Sequence, residues 1–243
     1  MRLLLHLRAL GPAGDGPGGG LARYVEHLIA RGWRSDLPGG SDTVYSFSNL
    51  FPRGEPLPGD ERRFLVASPN PELVRALARQ LRREREPLRV RGTAFGLERH
   101  ETFTVRADRA GLRLVTATPV LLRVRSPTGP GRVHWTPALG EEAFLDALNR
   151  DLVRRFNVYH ATRLHEEIRA IENGRLLRAA RSGRAPSSYW EFSTGRPAGP
   201  ARRILAFGID AGFGEGTRRG FGFVNVAKAA ANDGKDITDP RSR

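Results

Sequence analysis

Phe207–Val226 reads FGIDAGFGEGTRRGFGFVNV. Glycine stands at 208, 212, 214, 216, 220 and 222, with Arg218 and Arg219 inside the run. Closely spaced glycines let backbone N–H groups approach a phosphate without Cβ interference. Two arginines in the turn can pair with that phosphate. A nucleotide P-loop is excluded because no Gly-Lys-Ser/Thr follows. A dinucleotide fingerprint is excluded because Phe221–Val226 reads as a strand rather than a helix. The stretch is therefore a glycine-rich turn between two expected strands, Arg203–Phe207 and Phe221–Val226. By itself a tight hairpin accounts for it.

Working outward, the chain shows one pattern of elements twice. Residues 1–10 carry the apolar run LLLHLRAL and read as a buried strand. A Gly/Pro loop follows over 11–20. Leu21–Arg31 places Leu21, Val25, Leu28 and Ile29 at helical spacing, with Gly32 set to end the helix. Strands are expected at Val44–Phe47 and Phe64–Ala67. A helix is expected over Pro71–Glu86, with Asn70 as N-cap and Pro71 in the first turn. Strands at Leu88–Arg91 and Glu101–Val105 close the first round. The second round has strands at Leu112–Val115 and Val120–Val124, and an amphipathic helix over Glu141–Asn157. It continues with a second helix, Thr162–Arg181, rich in arginine, and a strand at Ser187–Ser193. The spacing predicts an α+β fold of two tandem ferredoxin-like (RRM-like) modules, the second with an added arginine-rich helical segment. Residues 1–108 would form the first and 109–226 the second. The tail 227–243 has little apolar content and reads as a disordered extension or an appended remnant.

Charge narrows the partner. The chain has 243 residues, 40 basic against 26 acidic, a net charge of +14 and a sequence pI near 11.4. Such a balance calls for a polyanion. Only Lys228 and Lys235 are lysines, so the positive charge is almost all arginine, whose planar fork matches phosphate and stacks on bases. No apolar run approaches the ~18 residues of a membrane span, so no membrane partner is expected. Cysteine is absent, which excludes disulfides and Cys-based metal sites and agrees with a reducing, cytoplasmic setting. His160, His165, Glu166 and Glu167 fit no common zinc spacing, and neither metal nor cofactor is expected. Trp135 reads as a loop anchor or a base-stacking residue.

A glycine-rich loop running into Gly220-Phe221-Gly222 at the end of a doubled ferredoxin-like chain resembles the CRISPR repeat-RNA endoribonucleases of the RAMP superfamily. Three more segments share the resemblance. Tyr45–Pro52, YSFSNLFP, resembles the family's F-S-x-L strand. Pro119–Arg123 resembles its central S-P-V segment, with Thr118 in place of Ser. Phe144–Phe156, FLDALNRDLVRRF, resembles its second-domain helix. The resemblance implies a metal-independent cut of repeat RNA, by attack of a 2′-hydroxyl on phosphorus. A 2′,3′-cyclic phosphate would be left, and the product retained for other CRISPR effector subunits. It also implies that the glycine-rich loop, through Gly214, Gly216, Arg218, Arg219 and Gly220, holds RNA.

In many family members a general-base histidine follows the first helix. Here that stretch is Arg34–Gly40, RSDLPGG, without histidine. His27 is one substitute, with a pKa class suited to proton transfer near neutrality. Tyr24 is another, able to polarise the 2′-hydroxyl. Arg23, Arg31 and Arg34 would act by charge, since arginine stays protonated. An arginine-based site fits the type IV branch. Candidate catalytic residues are thus Arg23, Tyr24, His27 and Arg34. Arg163, Arg169, Arg175, Arg178 and Arg181 on the expected second helix are candidates to grip an RNA stem by shape and phosphates. The missing histidine keeps open a non-catalytic crRNA-binding subunit of the same fold. A general RNA-binding protein is a third reading, supported only by RGFGFV at 219–224, a partial RRM motif.

Overall fold

β1 (Arg2–Pro12) is covered on both faces over Arg2–Leu7 and on one face beyond, where Arg8, Leu10 and Pro12 are exposed. Leu3, Leu5 and Leu7 point to one side, where α1 (Leu21–Gly32) and α2 (Pro71–Leu81) pack. β2 (Ser46–Phe47) and β3 (Glu61–Ala67) follow α1; β4 (Leu88–Val90) and β5 (Thr93–Phe103) follow α2. The sheet order is β2-β3-β1-β5-β4, antiparallel throughout. Asn70 accepts from the Glu72 N–H at 2.9 Å, so the expected N-cap is in place. α2 ends at Leu81, and residues 84–86 of the expected helix lie outside the described residues. The computed structural model describes residues 1–12, 20–33, 43–83, 87–90, 92–107, 111–183 and 185–227. Of the expected tail 227–243, residues 228–243 lie outside them.

The second half repeats the plan. β6 (Arg113–Thr116) leads through a hairpin, β7 (Arg123–Arg125) and β8 (Arg132–His134), to α3 (Glu141–His160). Then come β9 (Asn173–Ser182), β10 (Ala185–Ser193), α4 (Gly199–Ala211) and β11 (Val224–Val226). The sheet order β11-β6-β10-β9 is the ferredoxin-like order, with β7–β8 inserted. In the first module β2-β3-β1-β5 is the same order, with β4 added at the edge. Trp190, Phe144 and Phe192 stack at the centre of the second core, Phe144 on Trp190 at 4.0 Å between centroids.

Two sequence expectations need correction here. Thr162–Arg181 is not a helix, so the second module has no added arginine-rich helical segment. Residues 162–172 run irregularly, and 173–182 form β9. Asparagines on α3 make the difference. The Asn149 carboxamide accepts from Ala170 and Ile171 N–H at 2.8 and 3.0 Å, and donates to the Ile171 carbonyl at 2.9 Å. Asn157 holds both the N–H and the carbonyl of Leu164 in the same way. The helix-like spacing of Leu164, Ile168 and Ile171 arises because an irregular path presses these residues onto the core. Conversely, Arg203–Phe207 is not a strand but the middle of α4, which has Pro200 in its first turn.

The modules meet on the face of the first sheet away from α1 and α2. Leu65, Ala67 and Phe223 form a small cluster there, with Leu4 and Ala117 beside it. Arg2 crosses this junction almost fully enclosed, its guanidinium 4.9 Å from the Phe223 ring centroid.

Candidate nucleic-acid interface

The glycine-rich stretch begins as the last turn of α4 and leaves it at Gly212. The chain then folds back on itself. Phe213 N–H donates to the Gly222 carbonyl at 2.8 Å, and Gly222 N–H to Pro119 at 2.9 Å. Glu215 N–H donates to Leu121 at 2.7 Å. These crossings demand glycine. A Cβ on Gly222 would lie 1.9 Å from the Phe213 carbonyl oxygen, and one on Gly214 would lie 2.5 Å from that of Leu121. Both have left-handed φ, +67° and +71°. The loop therefore owes part of its glycine content to its own close packing.

A short 3-10 turn, Thr217–Arg219, forms the tip and rests on the first module. The Phe47 ring lies beneath Gly220, 3.1 Å from where a Cβ would sit. Ser46 Oγ donates to the Asp210 carbonyl at 3.0 Å. The Arg218 guanidinium lies over the Tyr45 ring, 5.5 Å from its centroid. The Tyr45 hydroxyl is enclosed without a hydrogen bond of regular geometry. Burial pushes its pKa up, Glu26 on α1 adds to the rise, and Arg218 beside it opposes both. Arg218 from the loop and Glu26 from α1 thus both act on the Tyr45 hydroxyl. Arg23, Glu26 and His27 share the exposed face of that helix, at spacings of three and four.

The structure sorts the expected catalytic residues. Arg23 and His27 are exposed on this face. Arg31 Nη1 donates to His27 Nε2 at 3.2 Å, so that nitrogen is an acceptor. Tyr24 is on the other flank, half-buried against the first core. It lines a concavity with Leu7, Leu81 and Leu97. It is not brought to the loop. Arg34 lies outside the described residues.

The five stem-gripping candidates do not share one helix face. Arg163 and Arg169 are on the irregular segment, and Arg169 pairs with Asp146 at 2.6 Å. Arg175, Arg178 and Arg181 are on β9, the edge strand of the second sheet. Arg175 pairs with Glu191 at 2.7 Å, and Arg178 stacks on Tyr189 at 4.0 Å. Arg53, from the first module, approaches the same ring at 5.7 Å. Tyr189 and Arg53 line a cleft of about 540 Å³ with Asn49, Arg62 and Phe95. No motif in the sequence flagged Arg53 or Tyr189, because their proximity exists only once the modules are docked. A second concavity, of about 600 Å³, lies between α3 and the β7–β8 hairpin. Arg125, Arg132, Arg150 and Arg154 line it, and Arg123 at its rim pairs with Glu215 of the glycine-rich loop at 2.9 Å. Basic surface therefore flanks the loop. Trp135 is buried, its indole N–H donating to the Gly140 carbonyl at 2.8 Å, so it anchors its loop and offers no face for stacking.

Residues 104–226 match the family model described as CRISPR associated protein Cas6, C-terminal. The chain belongs to the Cas6 family. Membership places it with the CRISPR repeat-processing RAMP proteins. Over 260 aligned residues it is 28% identical to a CRISPR-associated endoribonuclease Cas6 of Haloferax mediterranei, covering 94% of each chain. Its fold is that of solved relatives. A CRISPR associated protein Cas6 superposes with a TM-score of 0.66 at 18% identity, over 94% of this chain and 99% of that one. A Cas6-related protein from Pyrococcus furiosus gives 0.64 at 18% identity, over 94% and 98%. A RAMP protein described as binding different RNA substrates gives 0.63 at 18% identity, over 94% and 100%. Among the described residues of this Cas6-family chain, no helix is long and apolar enough to cross a membrane.

Proposed function

We propose that the protein is a metal-independent endoribonuclease that cuts CRISPR repeat RNA and keeps the product for other effector subunits. Residues 1–108 and 109–226 act as its two halves. The 2′-hydroxyl upstream of the scissile phosphate attacks phosphorus. The bond to the 5′-oxygen breaks, leaving a 2′,3′-cyclic phosphate and a 5′-hydroxyl. The observation that carries this reading is the seating of Arg218, at the tip of the glycine-rich loop, over Tyr45, whose hydroxyl also feels the charge of Glu26 on α1. Arg23, Arg218 and Arg219 supply positive charge for the phosphorane, and His27 accepts the proton at Nε2 once that nitrogen leaves Arg31. Gly214, Gly216 and Gly220 shape the loop. Tyr24, on the opposite flank, has no part in this version.

Incubation with the cognate repeat RNA in EDTA tests the chemistry. One cut, with a cyclic phosphate at the new 3′ end, is the expected outcome. Tight binding without a cut across a wide pH range would instead make the protein a crRNA-binding subunit. The RNA contact is tested separately by Arg218→Ala with Arg219→Ala. Each lost phosphate contact should flatten the slope of log affinity against log salt by about 0.7. An unchanged affinity and slope would remove the loop from the RNA site.

A further inference from the structure

The last carbonyls of a helix have no partner within it and must find one elsewhere. In α4 each is met by a side chain from another element. The Ile209 carbonyl accepts from Arg2 at 2.9 Å, and that of Asp210 from Ser46. The Ala211 carbonyl accepts from Arg155 Nη2 at 3.0 Å. Arg155 then goes further along the chain than a helix cap requires. Its Nη1 donates to the carbonyls of Gly212 at 3.0 Å and Gly214 at 2.9 Å. One guanidinium thus spans the exit of α4 and the first turn of the glycine-rich loop. Its charge stands at the negative end of the α4 dipole. It is held from below by Asp151, one turn earlier on α3, at 3.5 Å. The Asp151 side chain is 1% exposed, and its other oxygen takes Arg154 at 2.8 Å.

From this we infer that Arg155 is the positioning residue that sets the glycine-rich loop for RNA cleavage. The inference rests on the loop being the RNA site. Arg155 touches no substrate in this scheme: its Nη1 and Nη2 are turned to the three carbonyls and Asp151. A planar fork can reach three acceptors in fixed directions, whereas a lysine ammonium is a single point charge. With the fork lost, the segment 212–214 is free to shift. Arg218 then leaves its seat over Tyr45, and a displacement of about 1 Å in a positioning group can cost on the order of 100-fold in rate.

The test compares Arg155→Lys and Arg155→Ala with Arg218→Ala/Arg219→Ala in the full chain, using the repeat RNA. Circular dichroism first fixes a temperature at which each variant is folded. For Arg155→Lys the single-turnover rate at saturating protein should fall at least tenfold, while the salt slope of binding stays at the wild-type value. In Arg155→Ala the slope is the discriminating readout and should also stay at the wild-type value, because removing a charge that contacts phosphate would lower it, whereas lysine keeps that charge. Guanidinium ion should restore part of the rate to Arg155→Ala, against sodium chloride at matched ionic strength. It should not do so for the Arg218/Arg219 pair. Should Arg155→Ala fail to fold, Arg155→Lys carries the test. A wild-type rate in Arg155→Lys, with the Arg218/Arg219 pair impaired, overturns the inference and leaves the loop as the RNA site. Wild-type affinity and slope in the Arg218/Arg219 pair overturns the loop reading, and the inference with it.

Discussion

Gly222→Ala is expected to lower stability by roughly 2–5 kcal/mol and to abolish measurable cleavage of repeat RNA. The left-handed backbone costs an alanine about 1–2 kcal/mol, and relieving an overpacked contact typically costs about 1–3 kcal/mol more. The contact here is severe, because the new methyl would lie 1.9 Å from the Phe213 carbonyl oxygen and meets backbone, which cannot rotate away. To make room the Phe213–Gly222 pairing at 2.8 Å must open, and with it the turn that carries Arg218. For a chain of this size the loss corresponds to roughly 5–15 °C in melting temperature. Gly129→Ala is the control, since that glycine has open space around it and no positive φ. A melting temperature for Gly222→Ala within a degree of the Gly129→Ala value would show that the loop does not fold back as described.

The same contrast between local and distant contacts decides how much could be read from the sequence. The first module was legible because its signals are local: an N-cap at Asn70, helical spacing in Leu21–Arg31, and the apolar run of β1. The doubled ferredoxin-like plan followed from the order of such elements. Two segments misled for physical reasons. α4 buries nearly all sides of its second half, so ILAFGI lacks a polar face and resembles a buried strand. Residues 164–171 mimic helical spacing while the side chains of Asn149 and Asn157 hold them in an irregular path. In the candidate site, Arg218 and the α1 face stand out by residue type, whereas the seat of Arg218 over Tyr45 exists only once the modules are docked. Arg155 was passed over as one more charge on an amphipathic helix. Its signal was its place between Val153 and Phe156, both of which are buried. A charge in that position must have partners, but the sequence could not show that they are backbone carbonyls almost sixty residues away.

Arg2→Ala is expected to cost about 3–5 kcal/mol, the usual penalty for removing one member of a buried charged network. The side chain is 2% exposed and reaches across the module junction from β1. It donates to Ile209 at 2.9 Å, Val224 at 2.8 Å and the Asn225 side chain at 3.1 Å, and lies 3.6 Å from Asp210. Its loss leaves two enclosed carbonyls unmet and, among the described residues, the Met1 amino group as the remaining ionic partner of Asp210. Arg2→Met separates packing from charge, because it keeps an apolar stem against Phe223 while removing every donor. If the polar network dominates, Arg2→Met should lose nearly as much as Arg2→Ala, and hydrogen exchange should accelerate across 207–226 in both. Asp210→Asn in the Arg2→Met background should then cost less than Asp210→Asn alone, a coupling of about 0.5–3 kcal/mol. Protection of 207–226 at wild-type levels in Arg2→Met would mean that the cluster of Leu65, Ala67 and Phe223 holds the modules together without the arginine. That outcome would also separate the junction from the seat of the glycine-rich loop, leaving Arg155 and Ser46 to hold the end of α4.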